Sequence, residues 1–537
     1  MSARKLGLLF AWCWGCLWWW TASAGALSNR WVYVQVALTE DQDVATVSNV
    51  VRAARSGGAN GLVLSCGLDF LRFWPEDRLA WMEAVKHLCA DAGLEIIPAI
   101  WSFGYGALQN YGVDSLEGVP VTGTPFVVQG DSIVFDAASA VRKSVDATPA
   151  EWQKGEGRCR TIQRLAVTPH RRYRYRFEFR TVGLEASQPF KVSVVDCAPR
   201  QLWHEKERLQ VVYAPSQDWT GVTYDFNSVD ADAYFLYTGF WGGVKEGNLE
   251  LRNQTLTEIP PCDVLCRPGT PRVLKDAVSG RVYEEGRDYV VPRATYPVWE
   301  HGKHVARLKR PAGSAIPVGA RLVFDAYAPA VVDGQQVSTC LSEPELYTRI
   351  AADSAARIER LLSPKRWFLS IDEFRNGGTC AACRARGLTM AQIYADAVTR
   401  LCDVVRRAHP GADILMWSDM LDPGHNGVER YYNCRGSFAG AVQGVPKDLT
   451  LVCWYADKSE QSMSFFAERG FRTLAAAYYD EKPPFAHSRR WRDLVHRTDG
   501  ARGILYTTWQ RDYRDLPAFM KMLDEPTQQQ RHDTERR

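Results

Sequence analysis

At 537 residues the chain is several times the length of a typical domain, so two or three domains are expected. A hydrophobic fraction of 46% and a charged fraction of 24% are those of an ordinary soluble globular protein. Lys and Arg number 65 against 62 Asp and Glu, a net charge of +3 that gives no reason to expect nucleic acid or an anionic membrane surface as partner. Tryptophan is abundant at 19 residues, which supplies flat apolar surface suited to cores and to stacking on sugar rings.

The chain opens as an export signal. Arg4 and Lys5 precede an apolar run, Leu6 to Trp20, that is short for a span, and Ala22-Ser23-Ala24 offers small residues for cleavage. A retained anchor is the other reading of this run. Cys13-Trp14-Gly15 before Cys16 is no lipid box. Residues 1–24 are therefore read as a signal peptide and the mature protein as secreted, periplasmic or surface-exposed, with no integral membrane span. Twelve cysteines then remain in an oxidising compartment, where disulfides are permitted and their pairing stays open.

From residue 25 to 111 short β-branched or aromatic runs alternate with amphipathic helices. Trp31 to Ala37, Gly61 to Ser65 and Glu95 to Ile100 read as strands, with helices at Val44 to Arg55 and Leu79 to Ala92. That is parallel-sheet construction. Between 112 and 335 the helical signal nearly vanishes. Arg172 to Thr181, Phe190 to Val195, Leu209 to Tyr213, Val222 to Phe226, Asp232 to Trp241 and Gly247 to Leu256 read as the strands of a β-sandwich. Val273 to Pro292, with turns at Ser279-Gly280 and Glu285-Gly286, reads as a further small β module. In this insert Trp152, Trp219, Phe240 and Trp241 form either a sugar-stacking platform or the aromatic core of the sandwich.

The β/α rhythm resumes from 336 to 525. Ser342 to Glu345 has capping-box spacing and opens a helix to Leu362. Strands follow at Trp367 to Ile371, Ile414 to Trp417, Leu449 to Trp454, Thr473 to Tyr478 and Gly503 to Thr508, with a helix from Thr389 to Ala408. A polar tail, 526–537, ends the chain. Three strands before the insert and five after it predict a (β/α)8 TIM barrel interrupted after its third strand by a β-sandwich of carbohydrate-binding type. No dinucleotide glycine loop follows the first strand, which argues against an open doubly wound sheet.

In such a barrel chemistry sits at the C-terminal strand ends. Those ends carry Trp101 through Tyr105, Asp372-Glu373-Phe374-Arg375, Trp417-Ser418-Asp419, Trp454-Tyr455, Tyr478-Tyr479-Asp480-Glu481 and Trp509-Gln510-Arg511. Aromatic faces with carboxylates form a carbohydrate-site composition. Adjacent strand residues point to opposite faces, so Asp372 and Glu373 can share a site only where the strand is ending. Two close carboxylates split their pKa values, leaving one to act as an acid while the other stays ionised. Cys380-Ala381-Ala382-Cys383 lies just beyond. With no second CxxC to complete a ligand set, it reads as a disulfide or two independent loop cysteines, and neither metal nor cofactor is expected. His425, after the fifth strand, is either a substrate contact or an exposed loop histidine.

Asp-Glu after strand four, Trp after strand five, Tyr-x-Asp after strand seven and Trp after strand eight together resemble glycoside hydrolase family 20, the β-N-acetylhexosaminidases. The stretches Cys340 to Pro344, Ile371 to Arg375 and Trp417 to Met420 resemble its bacterial relatives with a β-sandwich inside the barrel. The resemblance covers the barrel, roughly half of the chain. It implies Glu373 as general acid/base, Asp372 holding the acetamido N–H, and Tyr478 on the acetamido carbonyl. It implies Trp417 and Trp509 walling the sugar with Trp454 beside them, and Asp480 binding a hydroxyl or the leaving group. Trp101 and Asp419, from their places at the strand ends, complete the expected substrate-binding rim. The implied reaction is substrate-assisted retaining hydrolysis of terminal β-linked N-acetylhexosamine from a glycan. The sequence departs from the family at Phe368 to Ile371, where His-x-Gly-Gly is usual, at Val36 to Thr39, which lacks an Arg, and at Arg511, where a Glu is usual. Two alternatives stand beside it: a two-carboxylate retaining glycosidase with Glu481 or Asp480 as nucleophile, and a non-catalytic glycan-binding protein.

Overall fold

The computed structural model describes residues 27–145, 157–197, 205–261, 263–293, 307–332 and 336–536. The expected signal peptide, Trp152 and Cys262 lie outside the described residues. Among the described residues no helix is long and apolar enough to cross a membrane.

Eight parallel strands close into a barrel. In chain order they are β1 (Asn29–Gln35), β2 (Gly61–Ser65), β3 (Glu95–Ile100), β4 (Arg366–Leu369), β5 (Asp413–Trp417), β6 (Thr450–Cys453), β7 (Arg472–Tyr478) and β8 (Ala501–Thr507). Closure is made by β8 against β1, with Trp31 beside Leu505. The period of two decides which side chains fill the barrel. Trp31 and Tyr33 on β1, Ile97 and Ala99 on β3, and Leu474 and Ala476 on β7 point inward to one cluster with Phe368, Leu415, Trp417 and Val452. Their neighbours Val32, Val34, Ile100 and Ala475 point outward to the larger core shared with the helices.

Helices α1 (Asp41–Ser56), α2 (Glu76–Ala92), α3 (Ala351–Leu362), α4 (Met390–Ala408), α5 (Ser459–Ala467), α6 (Ala486–Arg497) and α7 (Leu516–Leu523) ring the barrel. One detail differs from expectation. The Ser342 hydroxyl is buried without a partner, so no capping box forms there and the chain enters α3 through a π-helical turn, Leu346–Ile350. The capping box forms instead at Thr389, whose side chain accepts from Gln392 N while Gln392 reaches back to the Thr389 N–H. Between β5 and β6 the chain holds 3-10 turns at Asp419–Leu421 and Ala441–Gly444.

The insert between β3 and β4 is nested rather than serial. Gly118–Gln129 pairs antiparallel with Arg321–Pro329, and Val273–Asp276 joins the same six-stranded sheet. The stretch expected to form a separate module is therefore part of the insert's base. Within it sit two four-stranded sheets, spanning Arg142–Ile259, that face each other across a core of Tyr175, Phe177, Phe179, Phe190 and Phe240. Phe240 is core, as one of its two readings held. Trp219 lies under the guanidinium groups of Arg180 and Arg252, and Trp241 stacks on Tyr237.

Candidate active site

A pocket of about 500 Å³ opens at the C-terminal mouth of the barrel, a volume ordinary for a small-ligand site. Tyr33 and Trp417, inward residues near the C-terminal ends of β1 and β5, make its floor, with ring centroids 5.8 Å apart. Trp509 stands over both, 5.7 Å from Tyr33 and 6.3 Å from Trp417. Trp454 and Tyr479 form an adjoining wall, nearly parallel at 7°, with Tyr479 edge-on to Trp509 at 6.0 Å. Gln35, Ser65, Ser102 and Ser370 add polar atoms to the lining. The Ser370 hydroxyl is buried with no protein partner, so it is available to a ligand.

Asp372 and Glu373 are the carboxylates lining this pocket. Strict strand alternation would send them to opposite faces. β4 ends at Leu369, and Glu373 takes a left-handed backbone with φ of 43°. For a residue with a Cβ that conformation costs roughly 1–2 kcal/mol. The surroundings hold it there. Glu373 N donates to Asp419 Oδ2 at 2.9 Å, and Glu373 O accepts from Gln336 Nε2 at 3.2 Å. Gly104 packs against the same peptides: a Cβ built on it would meet Asp372 O at 2.1 Å, so this approach requires glycine.

The Glu373 carboxylate accepts from Arg375 Nη2 at 3.0 Å and from the Tyr105 hydroxyl. Arg375 is itself anchored on Gln336 Oε1. Burial, with the charges of Asp372 and Glu373, pushes the Tyr105 phenol far up, so it stays a neutral donor. Burial, then the neighbouring charges of Asp419 and Glu373, raise the Asp372 carboxyl well above the ordinary carboxylate range. Asp419 is fully buried beneath the loop and is pushed up to about 7, burial being the main cause.

Several expected contacts are corrected by the fold. Tyr478 is buried, stacks on Tyr506 at 4.1 Å and donates to Asp515 at 2.9 Å. Tyr478, Tyr479 and Asp480 are three consecutive left-handed residues, and this twist turns Tyr479 into the pocket in place of Tyr478. Trp101 is sealed behind the mouth, its backbone N–H donating to Asp69, while Ser102 and Tyr105 face the cavity. Asp419 binds the backbone of Glu373 and Asn426 Nδ2, not the cavity. Asp480 accepts from Trp509 N and Thr508 Oγ1, so it positions Trp509. Glu481 accepts from His487 N at 2.7 Å and Ser488 N at 3.1 Å, which makes it a cap for the first turn of α6. His425 stacks on Tyr455 at 4.5 Å behind Trp454, and burial lowers its pKa to about 4. Trp417, Trp454 and Trp509 stand where the strand ends predict.

Tyr33, Tyr105, Tyr479 and Arg375 carried no role in the sequence reading. Tyr33 had a readable signal, as an inward aromatic at the second-last inward step of β1. The other three depend on local backbone twists. Cys380 and Cys383 also differ from expectation: they form no disulfide and instead meet Cys340 and Glu117 in a buried cluster outside the pocket.

No family model matches this chain, and no curated protein matches it. Among solved structures it is similar to a mutant β-hexosaminidase from Streptomyces plicatus in complex with GlcNAc, at 16% identity over 39% of this chain and 43% of that one, with a TM-score of 0.24. It is similar to dispersin B at 12% identity over 35% of this chain and 59% of that one, TM-score 0.20. A structure described as CBM4 aligns with 25% of this chain and 73% of its own, at 13% identity and TM-score 0.14. The chain thus spans less than half the length of the hexosaminidase it matches.

Proposed function

We propose that this is an exported glycoside hydrolase that removes terminal β-linked N-acetylhexosamine from a glycan with assistance from the substrate's own acetamido group. The observation that carries the reading is the pair Asp372 and Glu373 presented together in an aromatic pocket. A two-carboxylate mechanism needs an acid and a nucleophile on opposite sides of the sugar. The candidate nucleophiles after β7 are engaged elsewhere, Glu481 at the start of α6 and Asp480 on the Trp509 peptide. Adjacent carboxylates suit the alternative, in which the acetamido oxygen attacks C1.

In that reaction the sugar lies against Trp417, with Trp509, Tyr479 and Trp454 lining the pocket around it. Asp372 takes the acetamido N–H and stabilises the positive charge that develops on the closing ring. Glu373 protonates the leaving oxygen, then removes a proton from the water that opens the ring. Tyr105 and Arg375 fix the Glu373 carboxylate in position. Tyr479, rather than Tyr478, is the phenol available to the acetamido carbonyl. The Asp372 anion is the working form, so kcat/KM rises with pH through a pKa above the ordinary carboxylate range.

The test compares protein lacking residues 1–24 with its Glu373→Gln variant, on aryl N-acetyl-β-hexosaminides and on aryl β-glycosides without the acetamido group. Turnover of the acetamido substrates alone, lost in the variant, supports the reading. Equal turnover of both kinds refutes substrate assistance. A second reading rests on the engagement of both Glu373 oxygens by Arg375 and Tyr105, which a glycan-binding protein would also accommodate. It predicts binding of N-acetylhexosamine glycans that Glu373→Gln leaves intact, with no turnover by the unsubstituted protein.

A further inference from the structure

We propose that Glu117, Cys340, Cys380 and Cys383 form a closed structural zinc site that pins the root of the insert to the loop carrying Asp372 and Glu373. The four residues come from three distant stretches, and their ligand atoms all lie within 4.8 Å of one another. Cys340 Sγ is 3.4 Å from Cys380 Sγ and 3.9 Å from Cys383 Sγ, and Cys383 Sγ is 3.3 Å from Glu117 Oε2. Tetrahedral zinc with Zn–S near 2.3 Å and Zn–O near 2.0 Å sets ligand–ligand edges of about 3.5–3.8 Å. These three spacings bracket those edges, and the remaining pairs lie within 4.8 Å. Each of the four is at most 2% exposed, which leaves no open coordination position and makes the site structural rather than catalytic.

The surroundings orient the ligands. Glu117 Oε1 accepts from Thr379 N, Thr379 Oγ1 and Cys380 N at 2.8–3.0 Å, which leaves Oε2 turned to the sulfurs. Cys380 Sγ accepts from Cys383 N at 3.4 Å, a bond that supports a thiolate. Such outer bonds fix ligand direction at metal sites. Most of the charge is also offset. Three thiolates and a carboxylate bring four negative charges, and zinc removes two. The guanidinium of Arg267, buried beside the cluster, interacts electrostatically with Cys340, Cys380 and Glu117, and its Nη2 has no hydrogen-bond partner. Three sulfurs and one oxygen favour a thiophilic ion over calcium or magnesium. A disulfide would use two of the thiols and strand the third beside a buried carboxylate.

The placement gives the ion its role. Glu117 precedes the first strand of the insert, and Cys340 lies just past its last pairing, Val331–Val332 with Gln336–Val337. Glu117 N donates to Ser338 O and Cys340 N to Ser115 O, so entry and exit already run together. Cys380 and Cys383 follow the β4 loop directly. Zinc would tie all three stretches, and binding would be coupled to folding.

The experiment purifies the full chain without chelator under mild reduction and measures zinc by mass spectrometry, beside Cys383→Ser and Glu117→Gln. About one zinc per chain, lost in Cys383→Ser and weakened in Glu117→Gln, is the expected result. If Cys383→Ser does not fold, protein produced with Co2+ in place of zinc must show the visible bands and sulfur-to-metal charge transfer of tetrahedral thiolate-bound cobalt. Zinc retained in full by Cys383→Ser would put the ion elsewhere and overturn the proposal. Metal-free protein with no cobalt spectrum would do the same, whether peptide mapping then finds a Cys340–Cys380 disulfide or three free thiols.

Discussion

Two regions of this molecule are rich in aromatic side chains and use them in opposite ways. In the insert's sandwich, Tyr175 stacks on Phe177 at 5.1 Å, Phe179 meets Phe190 edge-on at 5.1 Å and Phe190 tilts against Phe240 at 5.5 Å, all of them buried against one another. At the barrel mouth Trp509 and Tyr479 remain 39% and 46% exposed, and with Trp417 and Trp454 they surround a void that also holds two carboxylates. The first arrangement satisfies its rings by mutual packing, the second leaves ring faces for a ligand. Composition alone does not separate them. What does is whether the opposing face is another ring or a cavity with charge in it.

The sharpest test of that contrast is Glu373→Gln, which should lower kcat/KM on an acetamido substrate by about 10²–10⁴ while leaving the unfolding midpoint nearly unchanged. In the sandwich the reverse is expected: Phe177→Ala should cost about 3–5 kcal/mol of stability by chemical denaturation, with the kcat/KM of the remaining folded protein intact. Loss of activity without loss of stability there would dissolve the distinction.

Asp419→Asn joins the two kinds of effect. A carboxyl raised in the folded state keeps its proton when the unfolded chain has lost its own, so stability declines as pH rises from about 4 toward 7. The slope for one such group is at most about 1.4 kcal/mol per pH unit, and it should disappear in the variant when unfolding is followed across this range. Removal of the Asp419 charge should also lower the Asp372 pKa, moving the acid limb of the kcat/KM profile to lower pH. An unshifted limb would detach Asp419 from the site.

Trp509→Ala should weaken transition-state binding by about 1–2 kcal/mol, close to a tenfold fall in kcat/KM, with little change in stability. Smallest is Glu481→Gln, with about 1 kcal/mol lost from the start of α6 and activity within about twofold of the parent. A collapse of activity in that variant would restore the two-carboxylate mechanism.

The sequence by itself determined the barrel, its interruption after β3, and the strand ends at which chemistry gathers, because period-two and period-3.6 hydrophobic patterns are local and eight of the strands carry them. It also determined the Asp372-Glu373 pair and the three pocket tryptophans, since a strand end is legible to within a residue or two. Only the tertiary structure decided which tyrosine faces the pocket, because one left-handed residue reverses side-chain alternation and Tyr478 begins three in a row. It likewise decided that Asp419 and Asp480 hold backbone in place, which depends on loops crossing beneath the mouth. The meeting of Glu117 and Cys340 with the Cys380–Cys383 pair was beyond any spacing rule: Glu117 and Cys340 stand on either side of the insert, and the pairing of the insert's two ends is what brings them together.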